Sequence, residues 1–231
     1  MCGLTGFLLP RSRLEAADLQ SFARTMTGQL THRGPDDQGV WVDASSGIAL
    51  GHARLAIIDL STAGHQPMHS ACGRYVMVFN GEIYNHRALR SRLERDSAFG
   101  RGWAGDSDTE VLLAAIATWG VQSALEAAVG MFAIALWDCQ RETLTLARDR
   151  FGEKPLYYGF ANGGHGPLLF GSELKALMAH PDWQGTLDGD VLEGYLRFGC
   201  VGGMASIFQG VAKLPPASLL TVSVADVQGG Q

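Results

Sequence analysis

Met1-Cys2-Gly3-Leu4-Thr5-Gly6 begins the chain, and removal of the initiator Met would leave Cys2 carrying a thiol and an α-amine on one residue. The thiolate is the nucleophilic form, and at a free pKa of about 8.5 it needs a base to form at neutral pH. An α-amine, at roughly 7.7 to 8.0, is partly neutral there, whereas a lysine near 10.4 is almost wholly protonated. The leading amine is therefore the better-matched general base, and it travels with the nucleophile. Because a Cys at position 2 is more often incidental than catalytic, the assignment depends on what lies downstream.

Working outward, Gly3 to Leu9 reads as a short strand that holds Cys2 at a sheet edge. Leu14 to Leu30 follows with Leu19, Phe22, Met26 and Leu30 at steps of three and four, one helical stripe. Thr31-His32-Arg33-Gly34-Pro35-Asp36-Asp37 is a polar connecting loop, with Arg33 expected to shape it. Strand-like stretches occupy Gly39 to Val42, Ile48 to His52 and Arg54 to Asp59, the last with Arg54 at its mouth. Arg74 to Phe79 is a strand running into Asn80-Gly81, which by local chemistry is a type I′ hairpin signal. A helix over His86 to Arg95 and a Gly-rich turn over Phe99 to Gly105 precede a second helix. There Ser107 or Asp108 caps a segment that buries Leu112, Ala115, Ile116 and Trp119. Strands are expected at Met131 to Asp138, Thr143 to Asp149, Leu156 to Phe160, Leu168 to Gly171 and Ser218 to Val224. Helices are expected at Glu173 to His180 and Leu187 to Phe198, with 199 to 217 irregular. Strands in runs with helices outside them argue for a layered α+β sandwich.

Composition removes several function classes. At 231 residues and 46% apolar content the chain can bury a full core, favoured here as one domain. A net charge of −5 with scattered Lys and Arg leaves no footprint for nucleic acid or an anionic membrane. The opening apolar run stops at Pro10 and is followed by Arg11 and Arg13, the wrong order for a secretory signal. No 18 apolar residues run together. Cys2, Cys72, Cys139 and Cys200 are widely spaced and suit a reduced, cytoplasmic setting. His65 and His69 lack a third ligand nearby, so no metal site is expected. No Gly-x-Gly-x-x-Gly or Walker-type loop is present, so a nucleotide site within these residues is not expected.

Read together, Cys2-Gly3, His32-Arg33-Gly34-Pro35-Asp36, Arg54-Leu55-Ala56-Ile57-Ile58-Asp59, Asn80-Gly81-Glu82-Ile83-Tyr84-Asn85 and Ser107-Asp108-Thr109-Glu110 keep one order and spacing. In these the chain resembles the glutaminase domain of glutamine-hydrolysing asparagine synthetases, which are class II glutamine amidotransferases. The likeness continues through Arg148-Asp149-Arg150-Phe151-Gly152, Pro155-Leu156-Tyr157-Tyr158 and Ser172-Glu173-Leu174-Lys175. One such motif is weak; the ordered set is specific.

The resemblance implies an N-terminal-nucleophile (Ntn) hydrolase fold, a four-layer αββα sandwich. It implies that Cys2 attacks the glutamine amide, with its own amine moving the proton. The Asn80 side chain and the Gly81 N–H would form the oxyanion hole, so the apparent turn would be catalytic. Arg54 would take the substrate carboxylate, Asp108 helped by Glu82 its ammonium, and Leu55 and Ile57 would complete the pocket. Arg148, Asp149 and Lys154 are read as structural, bracing a turn or meeting a partner domain. The domain is placed at 2–224, with 225–231, ending Gly229-Gly230-Gln231, starting a linker to a synthetase domain.

The glutaminase domain is expected to need no cofactor, while ATP and Mg belong to that synthetase domain; a homodimer is also implied. Two departures stand out. Cys200-Val201-Gly202-Gly203-Met204-Ala205 replaces a stretch that usually carries Pro, and no Ser-Gly-Gly-x-Asp-Ser phosphate loop is present. Three rivals stay open: an acceptor in polysaccharide or secondary pathways, an Ntn amidase with a different amide substrate, and a non-catalytic module on the same fold.

Overall fold

The computed structural model describes residues 1–10, 14–96, 99, 102–162 and 165–229. A six-stranded sheet takes, in spatial order, β10 (Val211–Lys213), β8 (Tyr157–Asn162), β9 (His165–Gly171), β1 (Gly3–Leu8), β3 (Ile48–Arg54) and β2 (Asp37–Asp43). A five-stranded sheet takes β11 (Leu219–Ser223), β7 (Thr143–Arg148), β6 (Gly130–Asp138), β5 (Tyr75–Ile83) and β4 (Met68–His69). Neighbouring strands in both are antiparallel.

Alternation along the strands assigns each side chain to a layer. From β1, Leu4 and Leu8 pack between the sheets with Ile48, Leu50, Val76, Val78 and Trp137. Phe7 points the other way, under Leu19, Ala23 and Met26 of α1 (Ala16–Gly28) and Leu177 of α5 (Leu174–Met178). From β5, Met77 and Phe79 leave the inter-sheet layer and pack with Leu112, Ala115 and Ile116 of α3 (Asp108–Trp119). Flanking α3 are α2 (His86–Leu93) and α4 (Val121–Ala127). Helices, sheet, sheet, helices: this is the expected αββα sandwich.

Several local expectations change. β1 is not an edge strand, because it lies between β9 and β3 with every residue buried. Its position places Cys2 at the end of the central strands. β5 runs unbroken through Asn80-Gly81, and no hairpin forms there. An Asn-Gly pair makes a hairpin only where the segments on either side pair with each other, and here β5 runs on to Ile83 and into α2. β6 supplies the pairing, with Asn80 opposite Ala133 and Gly81 opposite Phe132. A Cβ at position 81 would collide with the Met131 carbonyl oxygen, so the glycine meets a packing demand. The strand expected over Arg54 to Asp59 ends at Arg54. Beyond it the backbone donors go to side chains, Leu55 N–H to Cys2 Sγ and Ala56 N–H to Asp36 Oδ2.

In the irregular 199–217 stretch lies β10, and α6 (Gly189–Phe198) begins after Asp188, whose carboxylate caps the N–H groups of Asp190 and Val191. Part of the stretch read as a linker lies in α7 (Val224–Gly229), whose Val227 is buried against the inter-sheet core. Arg11 and Arg13, residues 100–101 of the Gly-rich turn and residues 230–231 lie outside the described residues. Among the described residues, no helix is long and apolar enough to cross a membrane.

Candidate active site

Cys2 stands one residue before β1, and the backbone around it is fixed from three sides. Leu4 N–H donates to Ser172 Oγ at 3.0 Å, and Ser172 N–H returns a bond to Leu4 O at 2.9 Å. Arg33 Nε donates to the Cys2 carbonyl at 2.9 Å while its Nη1 reaches Glu173 Oε1 at 2.8 Å. The loop read as a connector thus clamps the Cys2 backbone. Leu55 N–H points at Cys2 Sγ from 3.3 Å. Burial pushes the thiol up from 9.0, against the opposing pull of the Leu55 N–H, the chain's amino group and Arg54. The resting sulfur is therefore a thiol, and forming the thiolate requires a base.

The ladder of β5 explains what faces that sulfur. Phe132, opposite Gly81, commits its N–H to Asp149 Oδ2 and its C=O to the Asp149 N–H, so it does not bond back to β5. The backbone groups of Gly81 consequently point to the opposite edge, as do those of Phe79 and Ile83 by alternation. Phe79 N–H is satisfied there by Gln66 Oε1 at 2.7 Å and Ile83 N–H by Asp108 Oδ2 at 2.8 Å. Between those two side-chain caps, the Gly81 N–H is left facing the cleft. Asn80 is 1% exposed, and among the described residues its Nδ2 has no hydrogen-bond partner. A buried donor without a partner is costly, and a ligand oxygen at this place would satisfy it.

Two opposite charges complete the cleft. Arg54 is 8% exposed; its Nη1 donates to Ser61 O at 2.9 Å and its Nη2 to Asp59 O. A Cβ on Gly64 would strike this guanidinium, so the glycine makes room for it. Among the described residues, Arg54 makes no ion pair. Ser107, not Asp108, caps α3, its hydroxyl accepting the Glu110 N–H at 3.1 Å. That leaves the Asp108 carboxylate free to turn back toward β5. Burial pushes its pKa up, partly offset by the Ile83 N–H.

Cys2, Arg54, Leu55, Ile57, Asn80, Gly81, Glu82 and Asp108 all line one cleft at the end of the two sheets. Ile57, 68% exposed, forms part of its rim. Arg148 and Asp149 stand behind it as braces, Arg148 donating to the carbonyls of Lys154, Leu214 and Gly152. Sequence reasoning missed Gln66, Met1 and Lys154 as members of the cleft. Gln66 and Lys154 sit in turns, where no periodicity marks a side chain as inward. His65 pairs with Asp37 at 2.6 Å, and His69 meets the Trp41 ring edge-on. Among the described residues, no group of three His, Cys, Asp or Glu could hold a metal.

A family model described as a glutamine amidotransferase domain matches residues 1–230. The chain belongs to that family. The amidotransferase domain is 38% identical over 228 residues to asparagine synthetase [glutamine-hydrolyzing] 3 of Bacillus subtilis, covering 96% of this chain and 35% of that protein. It is also 38% identical over 196 residues to amidase chyE of Penicillium rubens, covering 79% of this chain and 27% of that protein. The domain thus spans about a third of the length of these relatives. A solved structure of glutamine phosphoribosylpyrophosphate amidotransferase from B. subtilis superposes with a TM-score of 0.59 at 20% identity, covering 77% of this chain and 43% of that one. That likeness is one of fold and agrees with the Ntn hydrolase sandwich.

Proposed function

We propose that the Cys2 thiol, freed at the leading position by removal of Met1, splits glutamine through a γ-glutamyl thioester. Sγ bonds to the amide carbon while the α-amine takes the thiol proton. The carbon–nitrogen bond breaks, that proton passes to the departing nitrogen, and ammonia leaves. Water, deprotonated by the same amine, then cleaves the thioester to glutamate. Asn80 Nδ2 and the Gly81 N–H hold the oxyanion in both halves. Arg54 grips the substrate carboxylate, and Asp108 with Glu82 its ammonium. The observation that carries this reading is the unpartnered Asn80 amide, buried in the cleft that also holds Cys2.

The ammonia would serve an ATP- and Mg-dependent synthetase that makes asparagine from aspartate through a β-aspartyl-adenylate, while the glutaminase step needs no cofactor. The length and name of the Bacillus relative support this. A second reading, an amidase acting on another amide or serving another acceptor, is favoured by the chyE likeness. A cytoplasmic setting suits the four free thiols. The family resemblance adds a homodimer, to be read by sedimentation.

Cys2→Ala should abolish glutamine hydrolysis while the circular dichroism spectrum stays unchanged. Hydrolysis surviving in Cys2→Ala would refute the nucleophile. N-acylated glutamine, which lacks the ammonium that Asp108 would bind, should be a poor substrate. Equal turnover of both would favour the amidase reading.

A further inference from the structure

Lys154 is the cation of the cleft that the proposed reaction leaves without a task. It is 5% exposed, and its Nζ donates to Met1 Sδ at 3.1 Å. Among the described residues, no carboxylate lies within ion-pair distance of that ammonium. Its backbone is held on both sides, the N–H by Asp149 Oδ2 at 3.1 Å and the C=O by Arg148 Nε at 2.8 Å. The side chain is therefore aimed at the leading residues by a rigid turn. Burying a cation beside a thioether stabilises nothing by itself. Its placement calls for another explanation.

The charges facing the start of the chain can be matched in turn. From the 31–37 loop comes Arg33, paired with Glu173, which precedes α5. From the end of β3 comes Arg54, from β5 Glu82 and from α3 Asp108, all in the cleft. Asp59, in the loop after β3, lines the same cleft with its carboxylate on the N–H groups of Ser61 and Asp106, and Asp149 holds the Lys154 N–H from behind; the Cys2 thiol completes the titratable groups there. In the proposed reading, bound glutamine neutralises Arg54 with its carboxylate and Asp108 and Glu82 with its ammonium. Lys154 then remains beside the leading residue as a positive charge that, among the described residues, has no ion-pair partner.

We propose that Lys154 is a positioning residue that keeps the α-amine of mature Cys2 in its neutral, proton-accepting form at physiological pH. The inference rests on the Cys2 reading above. Met1 Sδ is five covalent bonds from the Cys2 nitrogen, so Nζ lies on the order of 9 Å or less from the amine. At that range, and at the effective dielectric near a protein surface, one cation disfavours a second by about one pH unit. Loss of Met1 also takes away the sulfur that holds Nζ in the unprocessed chain. The lysine and the new amine would then share one end of the cleft.

The test uses the processed full chain, with Met1 removal verified by mass spectrometry. In Lys154→Met, of similar length and no charge, the acid limb of kcat/KM for glutamine should move up by about one pH unit, with KM changed less than twofold. Lys154→Arg should restore the wild-type limb. Competitive acetylation of the α-amine across pH reads the same group without turnover, and its midpoint should rise equally in Lys154→Met. An unmoved midpoint in a folded Lys154→Met protein would overturn the proposal, as would a change confined to KM. If the wild type itself fails to hydrolyse glutamine, the acetylation midpoint still decides the lysine's effect, and the failure belongs to the catalytic reading.

Discussion

Asp149 and Asp108 are both buried, at 1% and 5% exposure, yet the fold treats their carboxylates in opposite ways. Asp149 accepts N–H groups from Phe132, Phe151, Glu153 and Lys154, and these bonds hold its pKa down against the cost of burial. Asp108 accepts a side-chain bond from the Ile83 N–H, and burial pushes its pKa up. The same contrast separates their arginines. Arg148 is tied to three carbonyls of a closed turn, whereas Arg54 keeps donors available at the cleft wall. Buried charge that the chain satisfies by itself is scaffold; buried charge that it leaves short is a binding site.

The largest effect that could break this contrast is on stability. Asp149→Ala strands several buried N–H groups at about 1 to 3 kcal/mol each, so roughly 4 kcal/mol should be lost after relaxation. Urea unfolding measures it, and a loss under 1 kcal/mol would show that saturation does not mark scaffold. Arg54→Ala should act next most strongly, raising KM for glutamine by roughly 10²-fold, since charged hydrogen bonds contribute about 1.5 to 3 kcal/mol each. Steady-state kinetics with kcat separately resolved would show it, and an unchanged KM would remove Arg54 from the carboxylate.

Asp108→Asn keeps an oxygen for the Ile83 N–H and removes the negative charge. KM should rise about tenfold while urea stability stays within about 1 kcal/mol of wild type. The smallest effect is the pH dependence of stability, and its sign differs between the two residues. Asp149, depressed below 3.8, stabilises the fold above that value, and its contribution is lost as pH falls through the lowered pKa. Asp108, raised above 3.8, favours the fold below that value, and its contribution is lost as pH rises through the raised pKa. Without glutamine, Asp108→Asn should therefore melt progressively higher than wild type as pH climbs from about 4 toward neutrality. A melting-temperature difference that is flat or inverted across that range would contradict the assignment.

The sandwich and its catalytic end were legible from local pattern and motif order. Alternating apolar residues in β1, β5 and β6 and the stripe in α1 each specify which face is buried. That Cys2, Arg54, Asn80 and Asp108 belong to one cleft was legible because short motifs preserve side-chain identity. Less legible were the places where one backbone meets another. Asn80-Gly81 reads locally as a turn and is held straight by β6, a partner distant in sequence. Arg54 to Asp59 reads as a strand, but side chains of Cys2 and Asp36 take its first donors.

By itself, then, the sequence determined the layers and the identities of the side chains that meet in the cleft, Cys2, Arg54, Asn80 and Asp108 among them. Periodicity and residue chemistry are local properties, and a local reading captures them. The tertiary structure alone decided which N–H faces the cleft, which aspartate is saturated, and that the Lys154 ammonium lies beside the leading residue. Each of those depends on hydrogen-bond partners brought together by folding, and their separation along the chain conceals them from any local pattern.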